Sequence, residues 1–104
     1  MDTALVLLCI QRRLHKINVQ EILFLKASGR YCTLHTDSKK IKMLLNLGKL
    51  SQQLPARHFS RVHRGYLVAW EKIKQITSKW ILIGNEKIPL TRGGRKILFQ
   101  LLSC

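Results

Sequence analysis

Apolar and polar residues alternate in short segments along most of the chain, a pattern typical of β-strands. The segment EILFLKA at 21–27 is apolar and β-prone, a Ser-Gly pair ends it, and RYCTLHT at 30–36 alternates. An Asp-Ser turn at 37–38 leads into KKIKML, which alternates again, so these segments predict an antiparallel meander. The N-terminal run ALVLLCI, from Ala4 to Ile10, is too short to cross a bilayer and predicts a buried opening strand.

A second group of strands is predicted in the C-terminal half. The segments KIKQIT and KWILI alternate in the same way, and EKIPL follows them. The dipeptide Gly84-Asn85 separates KWILI from EKIPL, and such a pair is a recognised signal for a two-residue hairpin turn. We therefore expect these last two segments to be antiparallel neighbours.

The middle of the chain has helical spacing instead. Leu47, Leu50 and Leu54 recur at the intervals that place side chains on one face of a helix. Asn46 is a suitable N-cap, and Pro55 ends the run. One amphipathic helix is therefore predicted between these two residues.

The C-terminal tail predicts a second helix. Its segment RKILFQLL carries apolar residues at helical offsets, Thr91 is a candidate cap, and the glycine pair Gly93-Gly94 is expected to delay the start. Helices do not alternate with strands along the chain, which argues against parallel βαβ units. The whole pattern predicts a mainly β fold, a stack of short antiparallel β-sheets with one middle helix and a short C-terminal helix.

The size and charge of the chain limit the number of domains and the classes of partner to expect. Its 104 residues suit one compact domain over residues 1–104. The 19 Lys and Arg against 5 Asp and Glu give a formal net charge of +14, which favours nucleic acid, an anionic membrane or an acidic protein. No acidic residue lies between Asp37 and Glu71 or after Glu86, so two stretches are strongly basic.

Cysteine and histidine are the residues that would suggest chemistry. The three cysteines lack paired short spacings, which argues against a disulfide framework or a zinc site and favours a reducing cytoplasm. Cys32 and His35 lie in an alternating segment with no third group to orient a Cys–His pair, so Cys32 is expected to be a small buried hydrophobe. His58 and His63 fall on opposite faces of a strand. The sequence therefore predicts no enzyme activity, no metal and no other cofactor.

Two arginine clusters remain as candidate binding residues. Arg57, Arg61 and Arg64 lie in the first acid-free stretch, and Arg92 and Arg95 flank the glycine pair of the tail. A run of charges is commonly a solvated face, but two clusters and the net charge supply the several phosphate contacts that DNA affinity requires. Arginine also hydrogen-bonds guanine O6 and N7 in the major groove.

Three separated motifs resemble one family. EILFLKASGRYCTLHT at 21–36, FSRVHRGYLV at 59–68 and IPLTR at 88–92 resemble, in order and spacing, the LytTR DNA-binding domain of bacterial response regulators. The resemblance covers nearly the whole chain from about residue 19 to 102. It implies an elongated fold of short strands with little helix, and DNA recognition by loops that enter successive major grooves.

The resemblance also implies which residues contact DNA. Four residues match the positions that read bases: Gly29, Arg30, Arg64 and Arg92. Chemistry alone adds four basic candidates for phosphate contact: Lys39, Lys40, Arg61 and Arg95. Three more are expected to support the loop around Arg64, among them a half-buried histidine bonded to the backbone: Phe59, His63 and Tyr66.

The expected function is sequence-specific binding of double-stranded DNA by a cytoplasmic bacterial transcription regulator without membrane association. The resemblance implies paired direct repeats as targets, a weak homodimer that DNA reinforces, and a receiver domain or sensor partner outside this chain. Gly65 replaces the usual serine of the family and Ala69 the usual asparagine, which bears on the target sequence. The alternative is a basic module that binds RNA or an anionic surface without sequence specificity.

Overall fold

The structure is a computed structural model that describes residues 5–10, 12–55 and 58–102. The described residues form ten strands and two α-helices. In chain order these are β1 (Leu5–Ile10), β2 (Arg13–Asn18), β3 (Ile22–Ser28), β4 (Tyr31–Thr36), β5 (Lys40–Met43), α1 (Leu47–Gln53), β6 (Phe59–His63), β7 (Tyr66–Ala69), β8 (Ile73–Ile76), β9 (Trp80–Ile83), β10 (Glu86–Pro89) and α2 (Arg92–Leu102).

The strands form three antiparallel sheets. The largest has five strands in the order β5-β4-β3-β7-β6, the second has the order β10-β9-β8, and β1 pairs with β2 as a separate ribbon. The predicted mainly β fold with a middle and a C-terminal helix is therefore confirmed. The protein measures 39 × 36 × 24 Å. Two of its dimensions are nearly equal and the third is shorter, so the stack of sheets has the shape of a slab and not of a rod.

The five-stranded sheet separates two hydrophobic cores. One face packs against α1 and the β1-β2 ribbon, with Leu25 and Leu34 of the sheet, Leu50 of the helix and Leu8 of the ribbon all fully buried. The other face packs against the three-stranded sheet and α2. Its buried residues are Phe24, Val62, Val68, Ile81, Ile83, Ile88 and Leu98. Each large apolar side chain buried in this way contributes about 1.5–3 kcal/mol.

Most of the local predictions are confirmed. The meander at 22–43 and the opening strand Leu5–Ile10 are present, although Ala4, Arg57 and Cys104 lie outside the described residues. In the predicted hairpin Gly84 adopts a φ of 60°, which the turn requires and glycine accommodates without strain. None of the helices in the described ranges is long and apolar enough to cross a bilayer.

Both predicted helix caps are confirmed. The Asn46 side chain accepts hydrogen bonds from Gly48 N at 2.6 Å and Lys49 N at 3.3 Å, and Thr91 Oγ1 accepts one from Gly94 N at 2.9 Å. The expected delay at Gly93-Gly94 is wrong, because α2 begins at Arg92. The tight packing of Gly94 on the backbone of Val62 offsets the low helix propensity of glycine here.

His35 lies between the five-stranded and the three-stranded sheet, beside the core that contains Phe24. Its ring stacks on Phe24 with centroids 4.2 Å apart, and the small cleft around it is also lined by Lys40, Asp37 and Glu86. Burial lowers the pKa of His35 below 6.5, and the charges of Lys40 and Lys26 lower it further, while Glu86 acts in the opposite direction. The neutral imidazole is therefore the form that the fold favours.

We predict that the protein loses stability below about pH 6.5 through His35, because the unfolded chain then binds a proton that the folded chain resists. The sign follows from a folded-state pKa below the unfolded one, so the loss grows as pH falls. Urea unfolding from about pH 7.5 to pH 5 measures it. His35→Leu keeps the stacking on Phe24 as an apolar contact and is expected to flatten this pH dependence. An equally steep slope in the variant would contradict the prediction.

Candidate nucleic-acid interface

The pairing of β3 with β7 brings two turns from distant parts of the chain to one end of the five-stranded sheet. Lys26 lies opposite Tyr66 in the register, and Ala27 N donates a hydrogen bond to Gly65 O at 2.8 Å. The turn at 29–30 follows β3 and the turn at 64–65 precedes β7, so they lie side by side. Gly29 has a φ of 61°, which allows the first turn to be this tight.

The second turn is held by the side chains that flank it. Gly65 N donates to His63 Nδ1 at 3.0 Å, and Arg61 Nη2 donates to the carbonyl of Arg64 at 2.7 Å. The His63 ring also meets Tyr66 edge-on, with centroids 5.6 Å apart. The half-buried His63 thus makes the backbone contact that a loop-supporting role requires, and the exposed Arg64 is presented at the tip of the turn.

Phe59 and Tyr66 lie on opposite sides of the sheet. Phe59 is 7% exposed and belongs to the core that contains α1, whereas Tyr66 packs half-buried against the core that contains Phe24. The two aromatic residues expected to anchor this segment are therefore both in contact with a core. The sequence did not reveal the bond from Arg61 to the Arg64 carbonyl, since no local pattern indicates it.

The start of α2 is docked onto β6 beside this turn. Thr91 Oγ1 donates to Val62 O at 3.2 Å, and Gly94 lies so close to that carbonyl that a Cβ on residue 94 would overlap it. Arg95 Nη1 donates to Ser78 O at 3.4 Å, which ties the helix to the loop before β9. These contacts fix the residue before the exposed Arg92 onto Val62, near the end of β6 from which the chain enters the turn that carries Arg64.

We call this end of the molecule the arginine end, formed by residues 29–30, 44–46, 64–65 and 91–95. An open cleft of about 410 Å³ lies there, and its lining includes Gly29, Arg30, Tyr31, Leu44, Arg61 and Arg64. We call it the arginine cleft. The sequence pattern does not single out Leu44, because it is the last residue of the alternating segment KKIKML.

Acidic residues are confined to one end of the strands. The four acidic residues within the described ranges lie at the end opposite the arginines: Glu21, Asp37, Glu71 and Glu86. Lys39 and Lys40 lie there too, because Lys40 begins β5 opposite His35 and Lys39 directly precedes it. A strand of six residues such as β4 spans about 20 Å, so these two lysines are not brought together with Arg30 and Arg64.

Comparisons with known proteins identify the family of the chain. The profile of the family described as "LytTr DNA-binding domain" matches residues 12–103. The chain belongs to the LytTR family. The chain is 27% identical over 87 residues to the sensory transduction protein LytT of Enterococcus faecalis strain V583. The match covers 78% of this chain and 36% of that relative. A LytTr DNA-binding domain from a Bacillus cereus response regulator has the same fold, with a TM-score of 0.76, 19% identity, and 99% and 100% of the two chains covered.

The family is a class of DNA-binding domains and not a class of enzymes, and the residues that first suggested chemistry have other roles in this LytTR domain. Cys32 is fully buried, and burial raises the pKa of its thiol to about 11 although Arg61 opposes the shift, so the reactive thiolate is disfavoured. His58 Nδ1 lies 2.8 Å from Glu71 Oε1, away from His63. The described residues contain no group of three or more metal-ligating side chains.

We predict that Gly94→Ala destabilises the LytTR domain by about 1–3 kcal/mol, because the added Cβ must displace either α2 or the Val62 carbonyl. Gly93→Ala is the matched control. A Cβ at residue 93 meets nothing within 4 Å, so the substitution is expected to stabilise the helix by up to about 1 kcal/mol. Urea unfolding of both variants measures the difference, and equal effects of the two substitutions would refute the docking argument.

Proposed function

We propose that this LytTR domain is the sequence-specific duplex-DNA reader of a cytoplasmic bacterial transcription regulator. The observation that carries the proposal is the position of three exposed arginines at one end of the strands: Arg30 and Arg64 on two turns, and Arg92 at the start of α2. No acidic residue of the described ranges lies at that end. A DNA duplex is a polyanion whose bases offer acceptors in the major groove, so it matches both the charge and the donors.

Base reading is assigned to the tips of the loops. Arg30 and Arg64 line the arginine cleft together, and each guanidinium has two parallel N–H donors that match guanine O6 and N7. Arg92 is the first residue of α2, and Thr91 fixes the start of this helix on β6. Gly29 has no side chain and open space where a Cβ would lie, so its contribution is a backbone that approaches the bases closely.

Phosphate contacts are assigned to Arg61 and Arg95. Arg61 already donates one hydrogen bond to the carbonyl of Arg64, and Arg95 donates one to the carbonyl of Ser78. A guanidinium has five N–H donors in all. Both side chains are thereby positioned and still have donors for DNA. Lys39 and Lys40 lie at the opposite end of the sheet, which argues against their direct contact with the same stretch of duplex.

The partners are proposed from the family. We infer that two domains bind paired direct repeats, that self-association is weak without DNA, and that a receiver domain or sensor partner outside this chain supplies the signal. The relative from Enterococcus faecalis is named as a sensory transduction protein, and this chain matches 36% of its length. That proportion leaves room in the relative for a second functional unit.

The alternative is a basic module that binds RNA or an anionic surface without reading sequence. A single-strand binder requires exposed aromatic faces for base stacking. At the arginine end Tyr31 is 42% exposed, but Lys42 Nζ lies 4.3 Å from the centroid of its ring and covers one of the two ring faces. The available donors at this end therefore favour duplex DNA.

We predict that selection from a randomised duplex library recovers a motif, and that Arg64→Lys weakens binding to it by about fivefold to 100-fold, since lysine loses the paired donors that arginine directs at one guanine. Binding to unrelated duplex is expected to change much less. The control is Lys72→Ala, which removes an exposed charge at the opposite end. Titrations at stated salt measure these affinities.

Two results would contradict the proposed function. One is recovery of no motif by the wild-type protein at a salt concentration where it binds duplex. The other is an equal loss of affinity for the motif and for unrelated duplex in Arg64→Lys, because a module that requires only charge is insensitive to the shape of the cation.

A further inference from the structure

Leu44 is a large apolar residue placed among the arginines. Its side chain is 62% exposed, and it lines the arginine cleft with Arg30, Arg61 and Arg64. Cys32 pairs with Met43 at the end of β5. Leu44 follows Met43 and Tyr31 precedes Cys32 on the antiparallel strand, so Leu44 lies beside Tyr31. Exposing this much apolar surface to water is unfavourable, which raises the question of what covers it.

The fold does not use the Leu44 side chain for packing. The neighbouring Met43 and Leu47 are buried in the core that contains α1, and the half-buried Leu45 packs against it, whereas Leu44 belongs to neither core. Its backbone is nevertheless fixed, because burial of Met43 anchors one side and the Asn46 cap at the start of α1 anchors the other. Leu44 is thus an exposed apolar contact on a rigid support.

The surroundings of Leu44 indicate the chemistry of its partner. The cleft is lined by three arginines, and the described acidic residues lie at the other end of the strands. A partner that covers Leu44 must therefore carry negative charge and also offer an apolar group within the same contact area. Duplex DNA meets both conditions, because the C5-methyl of thymine is the apolar group that the major groove presents.

We propose that Leu44 reads a thymine by contact with its C5-methyl group while Arg30 or Arg64 contacts a neighbouring base from the same cleft. This inference rests on the proposed function and adds a reading position in the segment between β5 and α1. The geometry favours it over Tyr31 for this role, since Lys42 already lies over the Tyr31 ring.

The test uses the duplex motif that the wild-type protein selects, with each thymine replaced in turn by uracil, which removes only the methyl group. Wild-type protein is expected to lose about fourfold in affinity at one thymine, the value of one buried methyl group. Leu44→Ala is expected to bind the thymine and uracil duplexes equally at that position. Leu44→Met, which keeps a long apolar side chain, is expected to retain discrimination.

The matched control is Leu14→Ala, because Leu14 is also exposed, at 70%, but lies in β2 and does not line the arginine cleft. It should discriminate thymine from uracil as the wild type does. Unfolding curves of the Leu44 variants are expected to match the wild type, since the side chain is outside both cores.

Three outcomes would overturn the inference. The first is thymine-to-uracil discrimination by Leu44→Ala equal to that of the wild type while Arg64→Lys weakens binding to the motif more than binding to unrelated duplex, which leaves the proposed function standing. The second is a loss of self-association in Leu44→Ala with unchanged discrimination, which makes the covering partner a second copy of the chain. The third is recovery of no motif by the wild type, which removes the proposed function and this inference together.

Discussion

The pairing of β3 with β7 is the constraint on which the arginine end depends. It joins a hairpin from the first half of the chain to one from the second, and the bond between Ala27 N and Gly65 O lies just inside the two turns. One backbone hydrogen bond contributes only about 1 kcal/mol net. The register of the two strands has the larger effect on the fold, because a slip by one residue would turn buried residues of β7 such as Leu67 toward the wrong core.

The directions of the strands then decide where charge accumulates. Every acidic residue of the described ranges comes before β3, after β4, after β7 or at the start of β10, and all four positions face away from the arginine end. With a net charge of +14 the arginines would repel one another if they were free to approach. Arg61 and Arg95 instead donate to backbone carbonyls, whose partial negative charge offsets some of that repulsion.

The sequence predicted what depends on neighbouring residues. The alternating strands, the caps at Asn46 and Thr91 and the Gly84 hairpin each follow from a few adjacent positions, and the structure contains them. Features that depend on contacts distant in sequence were not predictable from local pattern. The helix propensity of Gly94 gives no sign of its packing against Val62, and the charge of Lys40 does not show which end of the sheet it occupies.

His63, one of the residues that suggested catalysis, helps to hold the turn at 64–65 in place. The described part of the chain contains no disulfide and no cluster of metal ligands, so the turn at 64–65 is held by His63, Arg61 and one backbone bond to β3. Immobilising a flexible side chain at an interface costs about 0.5–1.5 kcal/mol each. A turn that is already fixed avoids part of that cost when it meets a duplex. In the proposed function His63 therefore acts on DNA affinity through the position of Arg64, whereas Arg61 both holds the turn and keeps donors for a phosphate.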